Sequence, residues 1–169
     1  MTASMELRSA SPEDTRAIGA RLGAVLRPGD VVSLTGELGA GKTCLVQGAA
    51  AALGVTERVT SPSFILRKDY QGAVAVLHLD VYRLQTLQDV LDIGWEEALD
   101  RSRVAFVEWG DAMSPLLPED HLEVDLRVDL DDTEAEPGSE QRLIGLLPRG
   151  HDWSRRLAEL AGALHDWRA

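Results

Sequence analysis

The sequence predicts an α/β fold, a three-layer α/β/α arrangement around a mixed, partly parallel central sheet, in a single domain over residues 1–169. Three observations carry this reading. Short β-rich runs alternate with helical stretches through the first two-thirds of the chain. A glycine-rich octapeptide stands directly between one of those runs and a helix. The last sheet segments alternate apolar and polar residues, as half-buried antiparallel strands do. A chain of 169 residues without internal repeats or a linker fits one core better than two.

Each element follows from local chemistry. Ser11-Pro12-Glu13-Asp14 starts a helix with a capping hydroxyl, a proline at the first helical position and acids in the first turn. Ile18, Leu22, Val25 and Leu26 keep helical spacing until Pro28-Gly29 stops it. Asp30 to Thr35 is a β-rich run leading into glycine, and Lys42 to Leu53 is helical with Gly54 as its stop. Phe64 to Tyr70 and Val74 to Asp80, separated by Gln71-Gly72-Ala73, read as a hairpin or meander. Leu84 to Ile93 and Trp95 to Leu99 form one helical stretch interrupted at Gly94, and Val104 to Val107 is apolar enough for a strand buried on both faces. Leu122, Val124, Leu126 and Val128 share one face of a strand whose partner is Leu143 to Leu147. Trp153, Leu157, Leu160, Ala161 and Leu164 mark one face of a closing amphipathic helix over about 152–166.

Charge narrows the function classes. Lys plus Arg total 17 against 28 Asp plus Glu, a net charge of -11. A protein that coats nucleic acid through charge alone needs clustered cations, which this balance opposes; a nucleotide needs only one local cationic site. Much of the acidity is local: Asp129, Asp131, Asp132, Glu134, Glu136 and Glu140 fall in one turn, 129–140, with no basic residue. The single cysteine, Cys44, excludes an internal disulfide and a Cys-cluster zinc site. The first residues lack an apolar signal core and no apolar run reaches the length of a membrane span, so a cytoplasmic location is expected.

Gly36-Glu37-Leu38-Gly39-Ala40-Gly41-Lys42-Thr43 matches G-x-x-x-x-G-K-[ST], with a strand before it and a helix after it. Glycines let backbone N–H groups turn inward and approach phosphate oxygens without an intervening Cβ. The helix beginning at Lys42 points its N-terminal amides and positive dipole end at the same anion. Lys42 can reach the β- and γ-phosphates and the Thr43 hydroxyl can ligate Mg²⁺. Only Lys42 and Lys68 among the 17 basic residues are lysines, so a lysine at this position is not compositional accident. The run Glu37 to Cys44 is therefore the candidate nucleotide-phosphate site, within which Cys44 reads as a small buried apolar residue of the first helical turn.

Two apolar runs end in acids, Asp80 and Glu108, at the strand ends where open α/β sheets bind ligands. Asp80 suits Mg²⁺ binding and Glu108 suits polarising a water; with Thr43 they are the candidate metal ligands, and with Lys42 the candidate catalytic set. The competing reading is that acids follow strands as caps or turn residues. Thr60-Ser61-Pro62-Ser63 occupies the place of a γ-phosphate-sensing switch, with Thr60 and Ser61 as its hydroxyls, although such a tetrapeptide also makes an ordinary turn. Trp109 can stack on adenine or belong to the core. His78, inside an apolar run, reads as a hydrogen-bonded core histidine.

Taken together, the phosphate loop, Thr60-Ser61-Pro62-Ser63-Phe64, His78-Leu79-Asp80-Val81-Tyr82-Arg83-Leu84 and Val107-Glu108-Trp109-Gly110 resemble the TsaE (YjeE) family of small bacterial P-loop ATPases, from about Thr15 to Leu126. The resemblance implies an ATP-hydrolysing accessory of tRNA threonylcarbamoyladenosine formation that docks on TsaD-like and TsaB-like partners and meets tRNA only through them. It implies Lys42 as the phosphate lysine, Thr43 as the Mg²⁺ threonine, Asp80 as the metal-associated aspartate, Glu108 as the hydrolysis-supporting acid and Trp109 as the neighbouring tryptophan. The segment from Asp129 to Glu140 and the closing helix match no motif of that family. Three rivals stand beside this reading. A GTPase would carry N-K-x-D, which is absent, so ATP is favoured. A small-molecule kinase would need an arginine-bearing lid, which Arg142 and Arg149 do not obviously form. A nucleotide-sensing module with negligible turnover would share the same phosphate loop.

Overall fold

A computed structural model describes residues 4–37, 39–62, 67–81, 86–92, 94–95, 100–108, 116–129 and 141–169. The strands are β1 (Met5–Ser9), β2 (Val31–Gly36), β3 (Arg67–Tyr70), β4 (Ala75–Asp80), β5 (Arg103–Glu108), β6 (His121–Val128) and β7 (Arg142–Arg149). The helices are α1 (Pro12–Gly23), α2 (Lys42–Ala52), α3 (Leu87–Asp92) and α4 (His151–Leu160), followed by a 3₁₀ turn at His165–Trp167. The seven strands form one sheet in the order β1-β7-β6-β2-β5-β4-β3. Its centre is parallel, with β2 between β6 and β5 and β4 beyond β5; β1/β7, β6/β7 and β3/β4 are antiparallel. The mixed, partly parallel α/β sheet expected from the sequence is therefore present.

Local chemistry explains the elements that aim the site. At the start of α1 the Ser11 hydroxyl accepts from the Asp14 amide at 3.1 Å, and the Asp14 carboxylate accepts from the Ala10 amide at 3.0 Å. Two otherwise orphaned donors are satisfied reciprocally, and Pro12 occupies a position needing no donor. Helix α2 is built of small residues because α1 lies almost in backbone contact with it. A Cβ on Gly48 would come within 1.9 Å of the Arg16 carbonyl oxygen, and one on Gly19 within 2.2 Å of that of Leu45. One core joins α1, α2 and α4 to one sheet face through Ile18, Leu22, Leu45, Val46, Leu34, Phe106, Trp153 and Leu157. The opposite face buries Val31, Leu77, Leu79, Ala105 and Val107 under Trp95 and Leu117.

The differences from expectation have physical causes. Strand β1 was not foreseen: its buried Met5, Leu7 and Ser9 alternate with exposed residues over only five positions, and it forms an edge against β7. The closing helix ends at Leu160, short of the expected 166, because the chain turns back. That turn buries Leu164 and lets the Ala169 amide donate to the Glu6 carbonyl at 3.0 Å. Val128 is 39 % exposed and leaves the inward face shared by Leu122, Val124 and Leu126. The β6/β7 register runs from His121↔Arg149 to Val128↔Arg142, so the acidic segment joins an antiparallel pair; residues 130–140 lie outside the described residues. At its foot the buried Asp129 carboxylate meets Arg8 of β1 at 3.2 Å. No helix among the described residues is long and apolar enough to cross a membrane.

Candidate functional site

The central strand β2 delivers the chain to Gly36, where the glycine loop begins. Gly36 has φ 147, and a Cβ there would lie 2.5 Å from the Leu126 carbonyl oxygen of β6. A side chain would push the loop off the sheet. Gly41, with φ 105 in the left-handed region, forms the N-cap of α2 without a side-chain capping bond. The first amides of α2 consequently have no intrahelical carbonyl and no capping oxygen, and they face the loop. Lys42 folds back so that Nζ donates to the Gly36 carbonyl at 2.7 Å, bridging the two ends of the loop. From the far side Arg142 of β7 donates to the Gly39 carbonyl at 3.3 Å, a contact not anticipated from sequence. Glu37 and Gly39 are exposed, Ala40 is buried, and Lys42, Thr43 and Cys44 are half-buried; Leu38 lies outside the described residues. Cys44 is thus not the buried apolar residue expected, because the first turn of α2 remains open at the loop.

The two acids come together as the sequence pattern suggested. Asp80 and Glu108 are direct register partners across β4 and β5, each 5 % exposed. Glu108 is also the register partner of Leu34 in β2, two residues before Gly36. Side chains alternate along a strand, so Val76, His78 and Asp80 share a face, as do Phe106 and Glu108. Val76 and Phe106 belong to the core beneath α1 and α2. The carboxylates therefore stand on the α2 side of the sheet, at the same strand ends as the loop. His78 is fully buried, and its Nε2 lies 3.0 Å from Glu108 Oε1. The expectation of a hydrogen-bonded core histidine holds, but its partner is the candidate catalytic acid. The alternation of a strand puts His78 and Asp80 on one face, but which acid the imidazole meets follows only from the β4/β5 register.

The switch candidates are tied from two sides. Gln47 of α2 donates to the Val59 carbonyl at 2.8 Å, and the Thr60 amide donates to the Tyr70 hydroxyl at 3.3 Å. Lys68 of β3 donates to the Thr60 hydroxyl. Ser61 is exposed, while Ser63 lies outside the described residues, as does Trp109. Among the described residues no group of three or more His, Cys, Asp or Glu side chains gathers to hold a metal ion. A site of one hydroxyl and one or two carboxylates suits a hard cation that retains water and takes its other oxygens from a ligand. Beside the loop, on the β6 side of β2, a cleft of about 540 Å³ is lined by Gly36, Glu37, Ala40, Asp125, Arg127 and Leu143 among others. Its size suits a small organic ligand.

A mixed α/β sheet whose central strand passes through a glycine loop into a helix, with two carboxylates on the neighbouring strand ends, defines a class of α/β protein with a G-x-x-x-x-G-K-T loop at the C-terminal edge of its sheet. The family model described as "Threonylcarbamoyl adenosine biosynthesis protein TsaE" matches residues 9–136, and the chain belongs to that family. It is 44 % identical over 124 residues to the tRNA threonylcarbamoyladenosine biosynthesis protein TsaE of Treponema pallidum, covering 73 % of this chain and 92 % of the relative. The protein of the same name from Bacillus subtilis is 38 % identical over 121 residues, covering 71 % and 75 %. The crystal structure of Bacillus subtilis YdiB superposes with a TM-score of 0.77 at 30 % identity, covering 98 % of each chain.

Proposed function

We propose that this chain is a Mg²⁺-dependent ATPase, acting in the cytoplasm within the machinery that forms threonylcarbamoyladenosine on tRNA. The observation that carries the reading is the pairing of Asp80 and Glu108 on adjacent strand ends, one strand from the loop that holds Lys42. The loop amides and Lys42 bind the phosphates, Lys42 Nζ exchanging the Gly36 carbonyl for phosphate oxygens. Thr43, Asp80 and Glu108 are the side chains that would hold Mg²⁺, which would supply neutralisation of phosphate charge. Glu108 orients the water that attacks the γ-phosphorus, in a nearly dry setting that strengthens its hydrogen bonds. Thr60 and Ser61 respond to the γ-phosphate. The cleft beside β6 takes the nucleoside, with Asp125 and Arg127 near its polar edge. TsaD-like and TsaB-like proteins are the proposed partners, and an acidic chain of net charge -11 reaches tRNA through them rather than directly. The test is ATP hydrolysis by the full chain with and without such a pair, together with a pull-down. Stimulated hydrolysis and a complex are expected, with hydrolysis abolished or strongly reduced in Lys42→Ala. The absence of both stimulation and a complex would overturn the assignment, and unchanged ATP affinity in Lys42→Ala would overturn the phosphate-loop reading.

A further inference from the structure

Among the described residues His78 is the most deeply buried ionisable side chain beside the site, with no exposed surface, and it makes one hydrogen bond there, from Nε2 to Glu108 Oε1 at 3.0 Å. Its other ring nitrogen, Nδ1, is buried without a hydrogen-bond partner among the described residues. These two facts select a tautomer. An ionised carboxylate only accepts, so Nε2 must carry the hydrogen that Glu108 receives. Nδ1 is then a buried acceptor. The reverse arrangement, Nδ1–H with a protonated Glu108, would leave a buried N–H donor orphaned, which folded proteins avoid more strictly than an unused acceptor. Glu108 Oε2 has no hydrogen-bond partner among the described residues. One carboxylate oxygen is thus pinned by the sheet and the other left for an incoming group.

We infer that His78 is a positioning residue for hydrolysis: its Nε2–H anchors Oε1 of Glu108 and so directs Oε2 at the attacking water. The inference rests on the ATPase reading above. The anchor is rigid because the imidazole comes from β4 and the carboxylate from its neighbour β5, both inside the parallel centre of the sheet. Glu108 is the last residue of its strand, where an unanchored carboxylate would sample several rotamers and point at the water only part of the time. His78 lies on β4, two strands from β2 and its loop, so its loss should leave phosphate binding alone.

The test compares three substitutions in the full-length chain. Glutamine places an amide N–H near the position of Nε2; asparagine is polar but too short to reach it; phenylalanine fills the ring's space with no donor. His78→Phe is expected to lower kcat for ATP about tenfold or more, with KM and ADP affinity within about twofold of wild type. His78→Gln restores most of kcat and His78→Asn does not. In the ligand-free protein, nitrogen NMR of the ring shows the Nε2-protonated tautomer. A folded His78→Phe with wild-type kcat overturns the inference, as does kcat falling together with ADP affinity, equal rates for the Gln and Asn variants, or an Nδ1-protonated ring. Should His78→Phe fail to fold, the Gln and Asn pair decides alone. A wild-type chain that binds ADP without hydrolysing ATP, alone or with its partners, overturns the ATPase reading itself and this inference with it, an outcome distinguished by the wild-type control.

Discussion

At the scale of single residues, the proposed reaction separates anion binding from water handling. Lys42 and the loop amides sit at the end of β2, while Glu108 belongs to β5. Glu108→Ala is therefore expected to keep ATP bound and to slow its hydrolysis at least tenfold. Parallel equilibrium binding and single-turnover measurements check this, and an unaltered rate would remove Glu108 from the reaction. Trp109 fluorescence should respond to saturating ATP if the side chain borders the nucleotide, and a flat titration would make it structural. Most of these residues were legible in the chain because their chemistry is local: a glycine loop needs its glycines and lysine in strict spacing. What was not legible was partnership across strands. That His78 meets Glu108 and Lys68 meets Thr60 depends on register, and register is decided by which strands pair.

At the scale of elements, the α1–α2 contact holds the start of the helix that follows the glycine loop. The two helices approach so closely that a methyl group on Gly48 would lie 1.9 Å from the Arg16 carbonyl oxygen, which cannot yield without moving α1. Gly48→Ala is expected to cost about 2 kcal/mol, lowering Tm by roughly 4–8 °C in a chain of this size. A thermal melt checks it; an unchanged Tm would mean that the helices separate freely. Helix α4 is held differently. Arg156 stacks 3.9 Å from the Trp153 ring centroid, donates to both Asp30 oxygens at 2.8 and 2.7 Å and donates to the Val25 carbonyl at 2.6 Å. Burial works against the guanidinium charge, but Asp30 and then Asp152 outweigh it and raise the Arg156 pKa. Removing the arginine strands the largely buried Asp30 carboxylate, so Arg156→Met should cost about 3 kcal/mol. Adding Asp30→Asn should return part of that loss, a coupling that a double-mutant cycle in urea reads directly. Arg155 holds Asp152 below the usual carboxylate range, with burial opposing and Arg156 assisting. A carboxylate lowered in this way stabilises above its unfolded value and loses that contribution as pH falls through the folded one. Exposure keeps the effect small here.

At the scale of the whole molecule, one strand order brings the site together. Because β2 lies between β6 and β5, the glycine loop has the two carboxylates on one side and the 540 Å³ cleft on the other. The sequence by itself determined the loop, the hairpin of β3 and β4, the capped start of α1, the buried run of β5 and the two acid-ended strands. Each rests on periodicity, capping or turn chemistry, interactions that span a few residues. Only the tertiary structure decided the position of β1, which joins as an edge against a strand more than a hundred residues later. It alone decided where α4 ends, since that follows from the C-terminal residues returning to Glu6 and Leu7. And it alone decided that His78 and Glu108 meet. Such choices depend on which distant surfaces bury one another, and a hydrophobic pattern states that a face must be covered without naming what covers it.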